Sequence, residues 1–181
     1  MTTIFSHALA GATLGTVFPL PARPARHLVA GALCAVIPDA DVVAFWFGVP
    51  WGHVLGHRGI THSLSFAAVL AAVVVGSAFR GWTWEGRRGT VWLFLFLATA
   101  SHGVLDAMTD GGPGVAFLAP FDDTRYVLPW QPIPVSPISL ERFVSARGRR
   151  VLEAEALWIG LPAAVLAVAG TALRARRRRR R

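Results

Sequence analysis

Five stretches of the chain are apolar over helical lengths, at residues 3–18, 28–41, 63–79, 91–108 and 151–173, and Gly, Pro or Arg punctuate the intervals between them. The pattern predicts an all-α fold, a multi-pass membrane helical bundle of about five helices. Spanning a hydrocarbon layer of roughly 30 Å takes about 20 residues, so the first two stretches are short. Residues 3–18 carry Ala8, Ala10, Gly11, Ala12 and Gly15 at spacings that allow close helix packing, and Pro19 and Pro21 end the segment. The run from Leu28 to Ile37 is either a short helix packed among others or one extended by the 39–48 stretch. Pro50 to Gly59 reads as a loop, and Thr61 or Ser63 can cap the helix that follows. The next loop holds Arg80, Arg87 and Arg88 with Trp82 and Trp84, which suit a membrane interface. Residues 109–138 are too rich in Gly and Pro for a long helix. Ile138 to Arg147 has the pattern of a basic amphipathic surface helix, with Leu140, Phe143 and Val144 opposed to Arg142 and Arg147. Gly148 is expected to break it, and Pro162 to kink the last helix. The expected organisation is one membrane-embedded domain, 1–173, and an arginine-rich tail, 174–181.

Composition supports the membrane reading: 54% of the 181 residues are hydrophobic and the mean hydropathy is +0.49. The net charge of +8 comes mostly from Arg174 and Arg176 to Arg181, while the rest of the chain is close to balanced. A nucleic-acid-binding surface is therefore not expected. Cys34 is the sole cysteine, which excludes an intrachain disulfide and a Cys-rich zinc site, so any metal must be held by His and carboxylate. The N-terminus lacks a basic n-region, and the first apolar segment is expected to stay in the mature protein.

Five helices put the termini on opposite sides. The arginine tail belongs on the cytoplasmic side by the positive-inside rule, and counting backwards puts the 80–90 loop and the 19–27 loop, with Arg23 and Arg26, on that side too. The remaining ends face the other way. They are where the polar anomalies fall: His7, Asp39, Asp41, His57, His62, His102 and Asp106. Arg142, Arg147, Arg149 and Arg150 oppose this orientation unless their helix rests on anionic headgroups.

Imidazoles and carboxylates are costly in apolar surroundings unless paired or bound to metal. His102 and Asp106 are four apart and share one helical face, and His57 and His62 flank a turn at a helix entrance. Asp39 or Asp41 can bridge in the manner of two-metal sites, although capping of the following helix is the plainer role for them. The expected metal ligands are His7, Asp39, His57, His62, His102 and Asp106, with a divalent ion, zinc by donor type, as cofactor. Arg58 and Asp41 are the candidate catalytic groups, Arg58 for developing negative charge and Asp41 for orienting water, with capping of a helix C-terminus or binding of a lipid phosphate as the non-catalytic alternative for Arg58.

On Ser6-His7, Pro38-Asp39-Ala40-Asp41, His57-Arg58-Gly59-Ile60-Thr61-His62-Ser63, Ser101-His102 with Asp106, and the stretch beginning Trp130-Gln-Pro-Ile-Pro-Val-Ser-Pro, the chain resembles the LexA-regulated, inner-membrane-associated metal-dependent hydrolases of the YdjM type. That family is in turn distantly similar to the helical fold of zinc-dependent phospholipase C. The resemblance implies phosphoester hydrolysis in the bacterial inner membrane, with lipids as surroundings and a small molecule or lipid as substrate. No His-x-x-x-Glu pair follows residue 106, so one or two metals rather than three are expected. The alternative function is a non-catalytic multi-pass protein with a structural or sensing metal site.

Overall fold

A computed structural model describes residues 1–20, 24–81, 84–137 and 139–179. Pro21, Arg23, Trp82, Ile138, Arg180 and Arg181 lie outside the described residues, as do the side chains of Pro24, Leu140 and Arg177 to Arg179. The described residues are helical or irregular: α1 (Ile4–Val17), α2 (Pro24–Val36), α3 (Leu64–Ala78), α4 (Arg88–Ala107), α5 (Leu140–Phe143), α6 (Ala146–Glu155) and α7 (Leu161–Arg179). Isolated bridges join Thr109 to Ile133 and Val115 to Tyr126, without a strand among the described residues.

The second apolar stretch takes the extended form. A 3-10 helix, Ile37–Phe47, continues α2 directly, so Ala25–Phe47 is one apolar run of 23 residues. Asp39 and Asp41 ride inside this run instead of capping a new helix. Ala25–Phe47, Arg88–Ala107 and Ala146–Arg176 are long and apolar enough to cross a membrane, whereas Ile4–Val17 and Leu64–Ala78 are shorter.

α1 packs against α2, α4 and α7, and α3 packs against α4. At the α1/α2 crossing, a Cβ on Gly11 would lie 2.3 Å from the Gly31 carbonyl oxygen, an approach open only to glycine. Cys34, Val75, Phe79, Val91, Phe94 and Leu95 fill the core between α2, α3 and α4. Trp84 joins them, buried with its ring centroid 4.8 Å from that of Phe79, so it is a core residue and not the interfacial anchor its loop suggested.

Gly148 also departs from expectation. It lies inside α6, where a Cβ would stand 1.7 Å from the Phe143 carbonyl oxygen, so its bareness lets the helix pass the preceding turn. The break comes earlier, at Ser145, whose hydroxyl caps α6 through the Arg147 amide at 3.2 Å. α6 then passes into α7 through a π-turn, Ala156–Gly160, just before Pro162.

Both ends of the bundle carry arginines, but only one carries the buried His and Asp cluster. At one end Arg26 donates to the Ala78 carbonyl, Arg80 to Gly76, Arg87 to Pro19, and Arg174 to Gly15 and Phe18. These cations meet the carbonyl-rich C-terminal ends of α1 and α3, where the helix dipole favours them. The opposite end gathers the start of α1, the 3-10 extension of α2, the start of α3 and the end of α4, beneath the irregular segment 109–137.

Candidate metal centre

His7 enters from the first turns of α1, Asp39 and Asp41 from the 3-10 helix, His62 from the turn Ile60–His62, and His102 and Asp106 from successive turns of α4. All six side chains are buried. One ligand atom each from Asp39, His62, His102 and Asp106 lies within 4.8 Å of all the others. His7 Nε2 is 3.5 Å from Asp106 Oδ1 and 4.0 Å from Asp39 Oδ2, and its ring stacks on His102 at 3.6 Å.

The hydrogen bonds fix which ring nitrogens face inward. His102 Nδ1 is 2.7 Å from the Ala35 carbonyl, which only accepts, so Nδ1 carries the proton and Nε2 turns its lone pair to the cluster. His62 Nδ1 is 3.2 Å from Asp41 Oδ2, and its Nε2 is 3.0 Å from His102 Nε2. Two imidazole nitrogens this close need a proton or a cation between them. Burial alone would lower the His62 pKa, but the Asp106 and Asp41 carboxylates outweigh it and raise it to about 9. Neither oxygen of buried Asp39 has a hydrogen-bond partner, and the nearest nitrogen, His102 Nε2, is 3.4 Å away. A buried carboxylate without a donor is costly. The convergence of bare carboxylate oxygens and inward imidazole lone pairs fits a divalent cation.

Asp41 stands one layer out. It accepts from Thr61 Oγ1 at 2.7 Å, His57 Nδ1 at 2.7 Å and the Arg58 amide at 3.3 Å, as well as facing His62. A carboxylate behind the imidazole is how metal-binding histidines are commonly oriented. His57 is outside the four-atom convergence, although Asp41, His57 and His62 form a second group with metal-compatible spacing. His57 Nε2 is buried without a partner, edge-on to Trp51 at 5.2 Å.

Arg58 is buried and has a positive φ of 62°, a strained conformation for a residue with a side chain. Each nitrogen of its guanidinium donates: Nε to Asp106 Oδ2 at 3.1 Å, Nη1 to the Gly111 carbonyl at 2.8 Å and Nη2 to Thr109 Oγ1 at 2.8 Å. Arg125 holds the same loop from outside, donating to the carbonyls of His57, Arg58 and His53.

Glu155 is the residue the sequence pattern passed over. Its buried carboxylate accepts from the Thr3 amide at 2.6 Å, Thr3 Oγ1 at 2.5 Å and Ser6 Oγ at 2.7 Å. The chain before α1 is thereby held against the cluster, where the Thr2 amide donates to Asp106 Oδ1 at 2.9 Å and Thr2 Oγ1 lies 2.6 Å from His7 Nε2. The one available sign in the sequence was an acidic residue directly preceding the apolar run of the last helix.

Compared with known proteins, residues 1–178 match a family model described as YdjM inner membrane protein. The chain is 42% identical over 168 residues to the inner membrane protein YbcI of Escherichia coli (strain K12), covering 92% of this chain and 95% of that protein. No solved structure matches.

Proposed function

Since the chain belongs to the YdjM inner membrane protein family, we propose that it works in the inner membrane as a metal-dependent hydrolase of phosphoesters, lipid phosphoesters included. The observation that carries the reading is the buried Asp39 carboxylate, which accepts no hydrogen bond, beside the inward Nε2 atoms of His62 and His102 at 3.9 and 3.4 Å. Asp39, His62, His102 and Asp106 would hold the ion, with His7 at their edge. Nitrogen and carboxylate donors without sulfur suit zinc, and manganese or iron by the same chemistry. A bound divalent ion supplies Lewis acidity toward a phosphoryl oxygen and lowers the pKa of water.

This chain's own residues do the positioning. Asp41 orients His62, and the Ala35 carbonyl fixes the His102 tautomer. Arg58 balances the Asp106 charge, and its positive field would favour negative charge developing on a substrate held at the ligand set. The proposed topology is multi-pass with a cytoplasmic C-terminus and the site on the other face. The arginines at the end away from the cluster support it, and Arg142, Arg147, Arg149 and Arg150 of α5 and α6 are the cations it sets against anionic headgroups.

Detergent-purified, metal-loaded protein should hydrolyse at least one member of a panel of phosphomonoesters, phosphodiesters and phospholipids, and His102→Ala should lose metal and activity together. Folded, metal-replete protein inert across the panel would point to the non-catalytic sensing or structural role instead. A reporter active only in the cytoplasm should work after Arg181 and be silent near Gly112, and the opposite result would reverse the topology.

A further inference from the structure

Between α1, α4 and the π-turn leading into α7 lies a cavity of about 390 Å³, within the range of pockets that hold small ligands. Ala10 and Leu14 form one wall, Ala100 and Val104 the second, Ile159 and Ala163 the third. No charged side chain lines it. Its hydroxyls are those of Thr13 and Ser101, and Ser101 Oγ is spent on the Ala98 carbonyl at 2.7 Å. Leu97, Val104, Trp158 and Leu166 at its borders are partly exposed and apolar, and two of its walls belong to segments long and apolar enough to span a membrane. In a chain inserted in the membrane, the space at its mouth would be hydrocarbon.

Its long direction is set by the helices. Ala10 and Leu14 follow His7 by three and seven residues, on the same face of α1. Ser101 and Leu105 directly precede His102 and Asp106 on α4. The cavity therefore starts at the height of the metal cluster, none of whose ligands lines it, and extends toward the arginine-bearing end. The π-turn Ala156–Gly160 widens the third wall at this level and presents Trp158 and Ile159 to it, the kind of helix irregularity found at functional sites.

We propose that this cavity takes one acyl chain of a membrane phospholipid, whose headgroup then lies at the cluster end. That the same lipid is the substrate rests on the hydrolase reading above; that the cavity binds an acyl chain does not. A water-soluble ligand is disfavoured by the lack of polar partners in the lining.

The test uses the full chain in vesicles of phosphatidylethanolamine and phosphatidylglycerol doped with a phospholipid bearing a photoreactive diazirine on one acyl chain, the labelled residues being mapped by peptide mass spectrometry. Labelling of Ala100, Val104 and Ala163 should exceed that of the outward residues Val69 and Val73 by about tenfold, equivalent to one decade in occupancy. Ala163→Phe and Ala10→Leu, which fill the cavity from different helices, should each abolish the excess while leaving metal content and the labelling of Val69 unchanged. Equal labelling of cavity and outer surface, or an excess indifferent to both variants, would overturn the proposal. So would crosslinking of two copies of the chain through Ala100→Cys or Ala163→Cys in a Cys34→Ser background. Labelling that persists in a protein hydrolysing nothing would leave the cavity standing and remove the substrate. Hydrolysis of a soluble phosphoester without cavity labelling would do the reverse.

Discussion

Asp41→Asn isolates what the carboxylate behind His62 contributes. Asparagine keeps the shape but loses the charge and replaces one acceptor oxygen by a donor. Asp41 Oδ1 faces the His57 Nδ1 donor at 2.7 Å, and Oδ2 faces Thr61 Oγ1 at 2.7 Å and His62 Nδ1 at 3.2 Å. Whichever way the amide lies, its NH2 meets at least one ring N–H that formerly had an acceptor. A hydrogen bond to a charged group contributes about 1.5–3 kcal/mol, and loss of a partner behind a metal-bound histidine lowers metal affinity about 10–100-fold. The two ranges agree, since tenfold is about 1.4 kcal/mol. The assay is competition against a chromophoric chelator, on detergent-purified wild type and Asp41→Asn shown to be equally monodisperse. An affinity equal to that of wild type would refute the positioning role. If turnover were lost at the same time, Asp41 would return to the water-orienting role that residue type alone suggested.

Two further outcomes follow from the same geometry. His62 keeps a proton up to about pH 9 when no metal is bound, and metal must displace that proton. Metal affinity should therefore fall as pH drops below about 9, by up to tenfold per unit for this group, and a calorimetric titration showing no proton release at pH 7 would contradict it. Glu155→Ala strips the acceptor from three donors on Thr3 and Ser6. At about 1–3 kcal/mol for each buried orphan, partly relieved by relaxation, the variant should lose on the order of 3 kcal/mol in reversible detergent unfolding, and a midpoint unchanged from wild type would show that the clamp does not hold.

The bundle and its polar end were legible in the sequence for one physical reason: His and Asp inside apolar runs stand out against a background that penalises them. His102 and Asp106 were placed together by helical spacing, while His7, Asp39 and His62 joined them only through the convergence of helix ends. What stayed hidden depends on long-range partners. Glu155 matters through Thr3 and Ser6, some 150 residues away, and has no histidine beside it to mark it. The layering of Asp41 and His57 behind His62 rests on how the turns before His62 fold back onto the 3-10 helix that carries Asp41, which residue spacing does not fix. Gly148 looked like a helix breaker because its reason, the Phe143 carbonyl, is a packing contact. Pro162 did announce an irregularity, but the widened turn lies just before it.

The central claim is that His62, His102 and their carboxylate neighbours hold one shared metal site, and elemental analysis tests it most directly. Wild type, His62→Ala and His102→Ala are purified in detergent, shown to be folded, and measured for bound divalent metal per chain. The account predicts stoichiometric metal in the wild type and strong depletion in both variants, because each removes an inward Nε2 from the same convergence of donors. Stoichiometric metal in all three proteins, or metal in none of them after reconstitution, would contradict it.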